Sequence, residues 1–169
     1  EFRRVLFRSS EFTATAMVTI PTGLVANTQL PVWSVPNVGT FWFRYVNTTV
    51  AQWRFISTHY NVPAGWTPFT TGTFARDHWI STIVSCKSNS CSINIYTYPG
   101  QYTNSYTRRT AVAPFTGTGE LFVGCNGHAG PGTTLYRGRI ENFALWDKGF
   151  TMSQITQLTN AGPNAVTFP

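Results

Sequence analysis

Six carboxylates are spread over the 169 residues: Glu1, Glu11, Asp77, Glu120, Glu141 and Asp147. Retaining hydrolysis of a glycosidic bond needs two carboxyls about 5 Å apart. Glu141 and Asp147 are six residues apart on what reads as one strand and its exit, too far along a chain rising ~3.3 Å per residue to share one bond. Nucleophilic chemistry has three histidines to draw on, His59, His78 and His128. Cys125 stands three residues before His128 in a glycine-rich stretch, which hints at a thiol–imidazole pair; chance proximity explains the spacing better. A zinc site from Cys125, His128 and another histidine lacks the usual ligand spacing. The expectation is therefore no catalytic residue and no enzyme.

Sugar recognition asks for other side chains. A sugar presents apolar C–H faces and a ring of hydroxyls, so its site combines aromatic platforms with amide, hydroxyl or imidazole groups. The loops are expected to supply them: Tyr60 and Trp66 flank Asn61 and Gly65, Tyr102 and Tyr106 flank Asn104, and Asn126 and His128 stand in the glycine-rich loop. The ligand-binding candidates are Tyr60, Asn61, Trp66, Tyr102, Asn126 and His128. For each aromatic the competing role is packing; Trp42, Trp53, Trp79 and Trp146, inside apolar alternating runs, are expected in the core.

The elements that must position these residues are strands. Hydrophobic residues make up 42% of the chain, charged residues 11% and aromatics 15%, with 26 threonines, a composition that favours half-buried pleated strands over helices. It excludes a disordered chain and a helical bundle. No apolar run approaches the ~20 residues of a spanning helix, so no membrane insertion is expected.

Clean alternation runs through Thr40 to Val46, with Phe41, Phe43 and Tyr45 on one face and Arg44 on the other, and through Ala51 to Thr58. The two form a hairpin turning at Asn47-Thr48-Thr49, a glycosylation sequon at Asn47. Phe12 to Ile20 is a threonine-rich strand; the segment from Pro21 to Gly39, broken by Pro31 and Pro36, is expected to be loop. Trp66 to Phe74, Glu120 to Cys125 and Leu135 to Trp146 are further strand candidates. Turn signals every eight to twelve residues give the rhythm of a sandwich. Only Thr151 to Thr159 looks helical, with Thr151 and Gln154 placed as a capping box.

Trp79 to Cys86 and Cys91 to Tyr98 are alternating runs separated by four residues, a hairpin that sets Cys86 opposite Cys91, Val84 opposite Ile93 and Thr82 opposite Ile95. Cross-strand opposition suits a disulfide; two reduced cysteines in a core are the alternative. A disulfide points to an oxidising compartment, hence to a secreted, extracellular protein. Cys125 is left over, either buried or paired outside the domain.

Glu1-Phe2-Arg3-Arg4-Val5-Leu6-Phe7-Arg8-Ser9 resembles, codon for codon, the translated end of a short-read sequencing adapter. That implies an assembly artefact; the other reading is a basic arm. Setting residues 1–9 aside leaves nine cations and five acids, a net charge of +4 in place of +6. Those cations are scattered, so no nucleic-acid partner is expected. Residues 10–169 then form a single domain, expected to be a fragment of a longer protein.

The order of features toward the C-terminus is more specific. Glu120 to Gly124, a glycine-rich loop, Gly138-Arg139-Ile140-Glu141-Asn142-Phe143-Ala144-Leu145-Trp146 and then a short helix resemble the end of a laminin-G-like, concanavalin A-like lectin/glucanase domain. Asp77-His78-Trp79 with the cysteine hairpin, and Phe41-Trp42-Phe43-Arg44, look like earlier strands of that superfamily, and the match runs in order over about residues 12–160. The resemblance implies an all-β, two-sheet antiparallel jelly-roll sandwich with one short C-terminal helix. It places Glu141 where relatives carry an acid that ties down a loop. No strand follows the E-x-D-x-x-E pattern of the superfamily's retaining glycosidases. No cofactor is expected from the residues themselves; the one that the resemblance allows is a rim calcium ion, for which Asp77 and Asn126 are the available ligands.

These readings point to a secreted, non-enzymatic module that binds glycans or extracellular proteins through its loop rim. The alternative is a structural subunit of an extracellular filament or matrix, with self-association of copies. Non-reducing peptide mapping is expected to recover Cys86 and Cys91 in one linked species, a bond contributing roughly 2 kcal/mol for so short a loop; recovery of both as free thiols would overturn it.

Overall fold

The computed structural model describes residues 4–6, 11–35, 39–47, 50–56, 67–70, 79–87, 90–97, 101–109, 118–125 and 135–160. Its strands are β1 (Arg4–Leu6), β2 (Phe12–Thr19), β3 (Gln29–Val35), β4 (Gly39–Tyr45), β5 (Val50–Ile56), β6 (Thr67–Thr70), β7 (Trp79–Lys87), β8 (Ser90–Thr97), β9 (Gln101–Arg109), β10 (Thr118–Glu120), β11 (Phe122–Val123) and β12 (Ile140–Trp146), followed by helix α1 (Met152–Asn160). Two antiparallel five-stranded sheets form, the first in the order β12-β2-β7-β8-β9 and the second in the order β11-β3-β4-β5-β6. This is the expected jelly-roll sandwich. Arg4–Leu6, expected to lie outside the domain, pair with Thr118–Glu120 in a two-stranded ribbon separate from both sheets.

Alternation decides what lies between the sheets. Phe12, Ala14, Ala16 and Val18 of β2 share a face with Ile80, Val84 and Cys86 of β7 and with Cys91, Ile93 and Ile95 of β8. Phe41 and Phe43 of β4 and Ala51, Trp53 and Phe55 of β5 meet them from the second sheet. Trp33 joins the layers: its ring stacks on Phe41 at 6.0 Å and lies 5.6 Å from Phe55, 6.3 Å from Phe12 and 6.4 Å from Phe143. Trp53 stacks on Phe41 at 5.6 Å with 9° between the ring planes.

Trp33 corrects the sequence reading, because the segment expected to be loop contains β3. Proline lacks the ladder N–H, and Pro31 is accommodated at a register shift between Pro31 and Trp33, the irregularity at which a strand tolerates it. Gln101–Arg109, expected to be loop around Tyr102, Asn104 and Tyr106, is likewise a strand, pairing with β8 at the sheet edge. The cysteine hairpin has the anticipated register, Cys86 opposite Cys91 and Val84 opposite Ile93, and the two sulfurs are bonded. Leu135 to Trp146 is strand only from Ile140. Before it, Gly138 passes so close to the Thr19 carbonyl that a side chain there has no room.

The outer face of the first sheet is covered by the chain's C-terminal part. Thr13 and Ser85, opposite each other on β2 and β7, hydrogen-bond at 3.0 Å, and the Phe150 N–H donates to both hydroxyls, at 3.0 and 2.8 Å. Thr13 in turn donates to the Lys148 carbonyl at 2.8 Å. These bonds hold the turn before the helix flat on the sheet, with Gly149 against the Cys86 carbonyl where a side chain has no room. Helix α1 starts as anticipated: Gln154 Oε1 accepts from the Thr151 N–H at 2.9 Å, and Thr151 Oγ1 from the Gln154 N–H at 3.3 Å. Its Ile155 then packs with Ile83, Tyr96 and Phe150 in a second apolar cluster.

Two consequences are measurable. Trp53→Ala removes a fully buried indole from the aromatic stack and is expected to lower stability by ~3–5 kcal/mol in urea denaturation. Tyr136 donates its hydroxyl to the Thr19 carbonyl at 2.9 Å, and burial raises its phenol above the ordinary value. The unfolded chain therefore gives up this proton near pH 10 while the folded protein keeps it, so stability from this group is full below pH ~10 and falls as pH rises beyond it. Tyr136→Phe is expected to cost about 1 kcal/mol at neutral pH, a gap that narrows above pH ~10; a gap independent of pH would refute the assignment.

Candidate functional site

The strand ends sort the sequence candidates by place. Residues 57–66, with Tyr60, Asn61 and Trp66, leave the second sheet at Ile56, the end where Val35 and Gly39 face each other. Residues 126–134, with Asn126 and His128, begin and end at the antiparallel bridge between Cys125 and Leu135. Because β11 runs from Ser34 toward Val32 alongside β3, that bridge lies toward the opposite end. Tyr102, opposite Tyr96 on β9, stands near Trp79 and Thr97, at the end of the first sheet where Tyr136 ties Thr19 beneath Phe43. The candidates thus divide into two groups, the stretch of Tyr60, Asn61 and Trp66 leaving from one end and Tyr102 with the stretch of Asn126 and His128 from the other. Tyr60, Asn61, Trp66, Asn126, His128 and the calcium candidate Asp77 themselves lie outside the described residues, as do His59 and His78.

Asn47 is exposed at the bend that follows β4, as the sequon requires. Cys125 is a free, half-buried thiol. Glu141 and Asp147 are both exposed, Glu141 next to Asn142, whose φ of 50° marks the bulge in β12. Among the described residues no group of three or more His, Cys, Asp or Glu side chains stands ready to hold a metal ion.

The outer face of the second sheet carries a constellation that the sequence reading passed over. Successive side chains point to opposite sides of a strand, so with Phe41 and Phe43 in the core, Trp42 and Arg44 face outward. On β5, Gln52 and Arg54 do the same between Ala51, Trp53 and Phe55. Register sets Trp42 opposite Arg54 and Arg44 opposite Gln52. All four are half-buried. Arg44 is oriented by two neutral amides, donating to Gln52 Oε1 at 3.3 Å and to Asn27 Oδ1 at 2.6 Å. Asn27 reaches it from a turn in which its φ is 68° and its N–H donates to the Tyr45 carbonyl. The expectation that the strand tryptophans are core holds for Trp53 alone; Trp42, Trp79 and Trp146 are half-buried on outward faces, Trp79 beneath the Arg139 guanidinium at 5.1 Å and Trp146 against Phe150. The signal was the alternation itself, since a tryptophan two residues from an arginine shares its face.

No protein-family model and no curated protein sequence matches the chain. Solved structures do. A native heptameric SAP-like pentraxin from Limulus polyphemus superposes with a TM-score of 0.64 at 10% identity, over 98% of this chain and 74% of its own. The CBM40 of a Ruminococcus gnavus IT-sialidase does so at 0.52 and 10% identity, over 88% of this chain and 82% of its own. An alginate lyase from Klebsiella pneumoniae aligns at 0.49 and 10% identity, over 80% and 59%. What the chain shares with the first two is the fold, the two-sheet concanavalin A-like jelly roll.

Proposed function

We propose that the chain is a secreted, non-enzymatic carbohydrate-binding or adhesion module that meets its ligand through the loops at the ends of its sandwich. The observation that carries the reading is the likeness in fold to a module whose name marks it as carbohydrate-binding, the CBM40 of a sialidase, joined to a sequence rich in aromatic and amide groups between strands. In such sandwiches rigid strands position the loops, and recognition is concentrated there. The disulfide between Cys86 and Cys91 is compatible with an oxidising compartment. The placement of acids supports a role without hydrolysis: Glu141, the second residue of β12, and Asp147, just past its end, are both exposed with an extended strand between them. Self-association belongs to the same proposal as a second mode of contact, with the free Cys125 beside an exposed Leu135 at the sheet edge.

A glycan array with the purified domain tests the reading, and Trp66→Ala tests its site. That substitution is expected to weaken glycan binding at least severalfold while leaving the melting temperature nearly unchanged. A melt lowered by the several degrees that a lost core aromatic costs, ~3–5 kcal/mol in a small domain, would assign Trp66 to packing. Hydrolysis of any polysaccharide by the domain would overturn the non-enzymatic role.

A further inference from the structure

The sequence holds one N-x-S/T triplet, Asn47-Thr48-Thr49, and the function proposed above makes no use of it. Such triplets arise often by chance, so the place of this one in the fold decides its meaning. Asn47 is exposed at the bend beyond β4, past the last ladder pair of the hairpin, Tyr45 with Ala51. A large substituent on its side chain therefore has no strand to displace. The fully buried Asn94, inside β8, shows the contrary case. The chain just before the bend is held from behind: the Tyr45 N–H donates to the Thr28 carbonyl at 2.9 Å, and the Tyr45 carbonyl accepts from the Asn27 N–H at 2.8 Å. The turn that makes these bonds carries Val25, 75% exposed and the most exposed large hydrophobic side chain among the described residues.

From this placement we infer that Asn47 is a site of N-linked glycosylation, its side-chain amide taking an oligosaccharide from a polyprenyl pyrophosphate donor in the secretory pathway. The inference rests on the secretion part of the reading above. In the transfer, Asn47 Nδ2 forms a bond to the anomeric carbon of the first sugar and gives up one proton to a base. The bond from that carbon to the pyrophosphate oxygen breaks, and the polyprenyl pyrophosphate leaves with its electron pair; nothing is oxidised or reduced. Transfer acts on the chain before it folds, so the bonds Asn47 makes in the folded protein do not oppose it. Folding has only to leave room for the product, a bulky and solubilising surface group, and the exposed bend does so. The same position keeps the glycan away from the proposed ligand site. Tyr60, Asn61 and Trp66 belong to the stretch that leaves the sheet at Ile56, and the seven residues of β5, at ~3.3 Å each, put roughly 20 Å between that exit and the bend.

Expression of the full chain behind a cleavable secretion signal in cultured eukaryotic cells, followed by peptide mass spectrometry, provides the test. The peptide containing Asn47 is expected to carry a hexose- and N-acetylhexosamine-containing mass on most molecules. Peptide N-glycosidase in heavy-oxygen water is expected to remove it and leave a heavy-oxygen aspartate at position 47. Asn47→Gln and Thr49→Ala are each expected to abolish the modification, Thr49→Ser to keep it and Thr48→Ala to leave it unchanged. Secreted and cell-retained chains are both read, because transfer precedes folding and a variant that fails to fold still reports on the site. An unmodified Asn47 in a chain whose Cys86 and Cys91 are linked would overturn this inference alone. An unmodified Asn47 together with free thiols at both cysteines would overturn the secretion reading with it. A glycan mass that persists in Asn47→Gln would lie elsewhere and overturn the site.

Discussion

Two twisted sheets hold together only when the side chains between them fill a layer about 10 Å thick. Here aromatic rings from both sheets and from four strands do so: Phe12 on β2, Trp33 on β3, Phe41 on β4, and Trp53 and Phe55 on β5, each within about 6 Å of a neighbour in the group. Large flat groups fill such a layer with few residues, and edge-to-face and offset contacts contribute beyond the area they bury. The constraint propagates outward. Once Phe41, Phe43, Trp53 and Phe55 are fixed inward, pleating sends Trp42, Arg44, Gln52 and Arg54 to the other side with no further choice. The chemistry of the outer face is thus a by-product of packing the inner one.

The two outer faces resolve their exposure differently. The first sheet buries its outward threonines and serines beneath the turn from Asp147 to Phe150, and a buried hydroxyl is tolerated only when bonded. Thr13 and Ser85 meet that demand by sharing the Phe150 N–H, and Ser92 does so with the Ser85 carbonyl and the Asn94 amide. The hydroxyl seam and the apolar cluster around Ile155 therefore act as one fastening for the helix. The second sheet's outer face has hydroxyls too, Ser34 and Thr40, buried and hydrogen-bonded to each other at 3.1 Å, and beside them the half-buried Trp42, Arg44, Gln52 and Arg54.

How much of this was legible in the sequence follows from how local each signal is. The Cys86–Cys91 hairpin was readable to the residue because a four-residue loop between alternating runs leaves one register that keeps the aliphatic residues together. The helix was readable from its cap, a contact spanning three residues. β3 was hidden because its prolines argue for loop, and what overrides them is tertiary: a register shift at Pro31 and the demand of the core for Trp33. β9 was hidden for the opposite reason. Gln101 to Arg109 holds tyrosine, threonine, asparagine and serine but no aliphatic residue, so period-two alternation has nothing to mark. Among the loop candidates, residue types were legible, whereas the ends from which their stretches leave depend on the order of strands in both sheets, which no local pattern encodes.

That topology also bears on whether the module works as a binder or as a brick in a filament. A symmetric contact brings the same patch of two copies together. A contact of that kind on the second sheet's outer face would set the half-buried Trp42, Arg44, Gln52 and Arg54 of one copy near their equivalents in the other, and like charges brought together out of water oppose association. The helix-covered face is already occupied by the protein's own C-terminal part. For the self-association proposed above, the described residues offer a sheet edge, where β11, Cys125 and Leu135 stand.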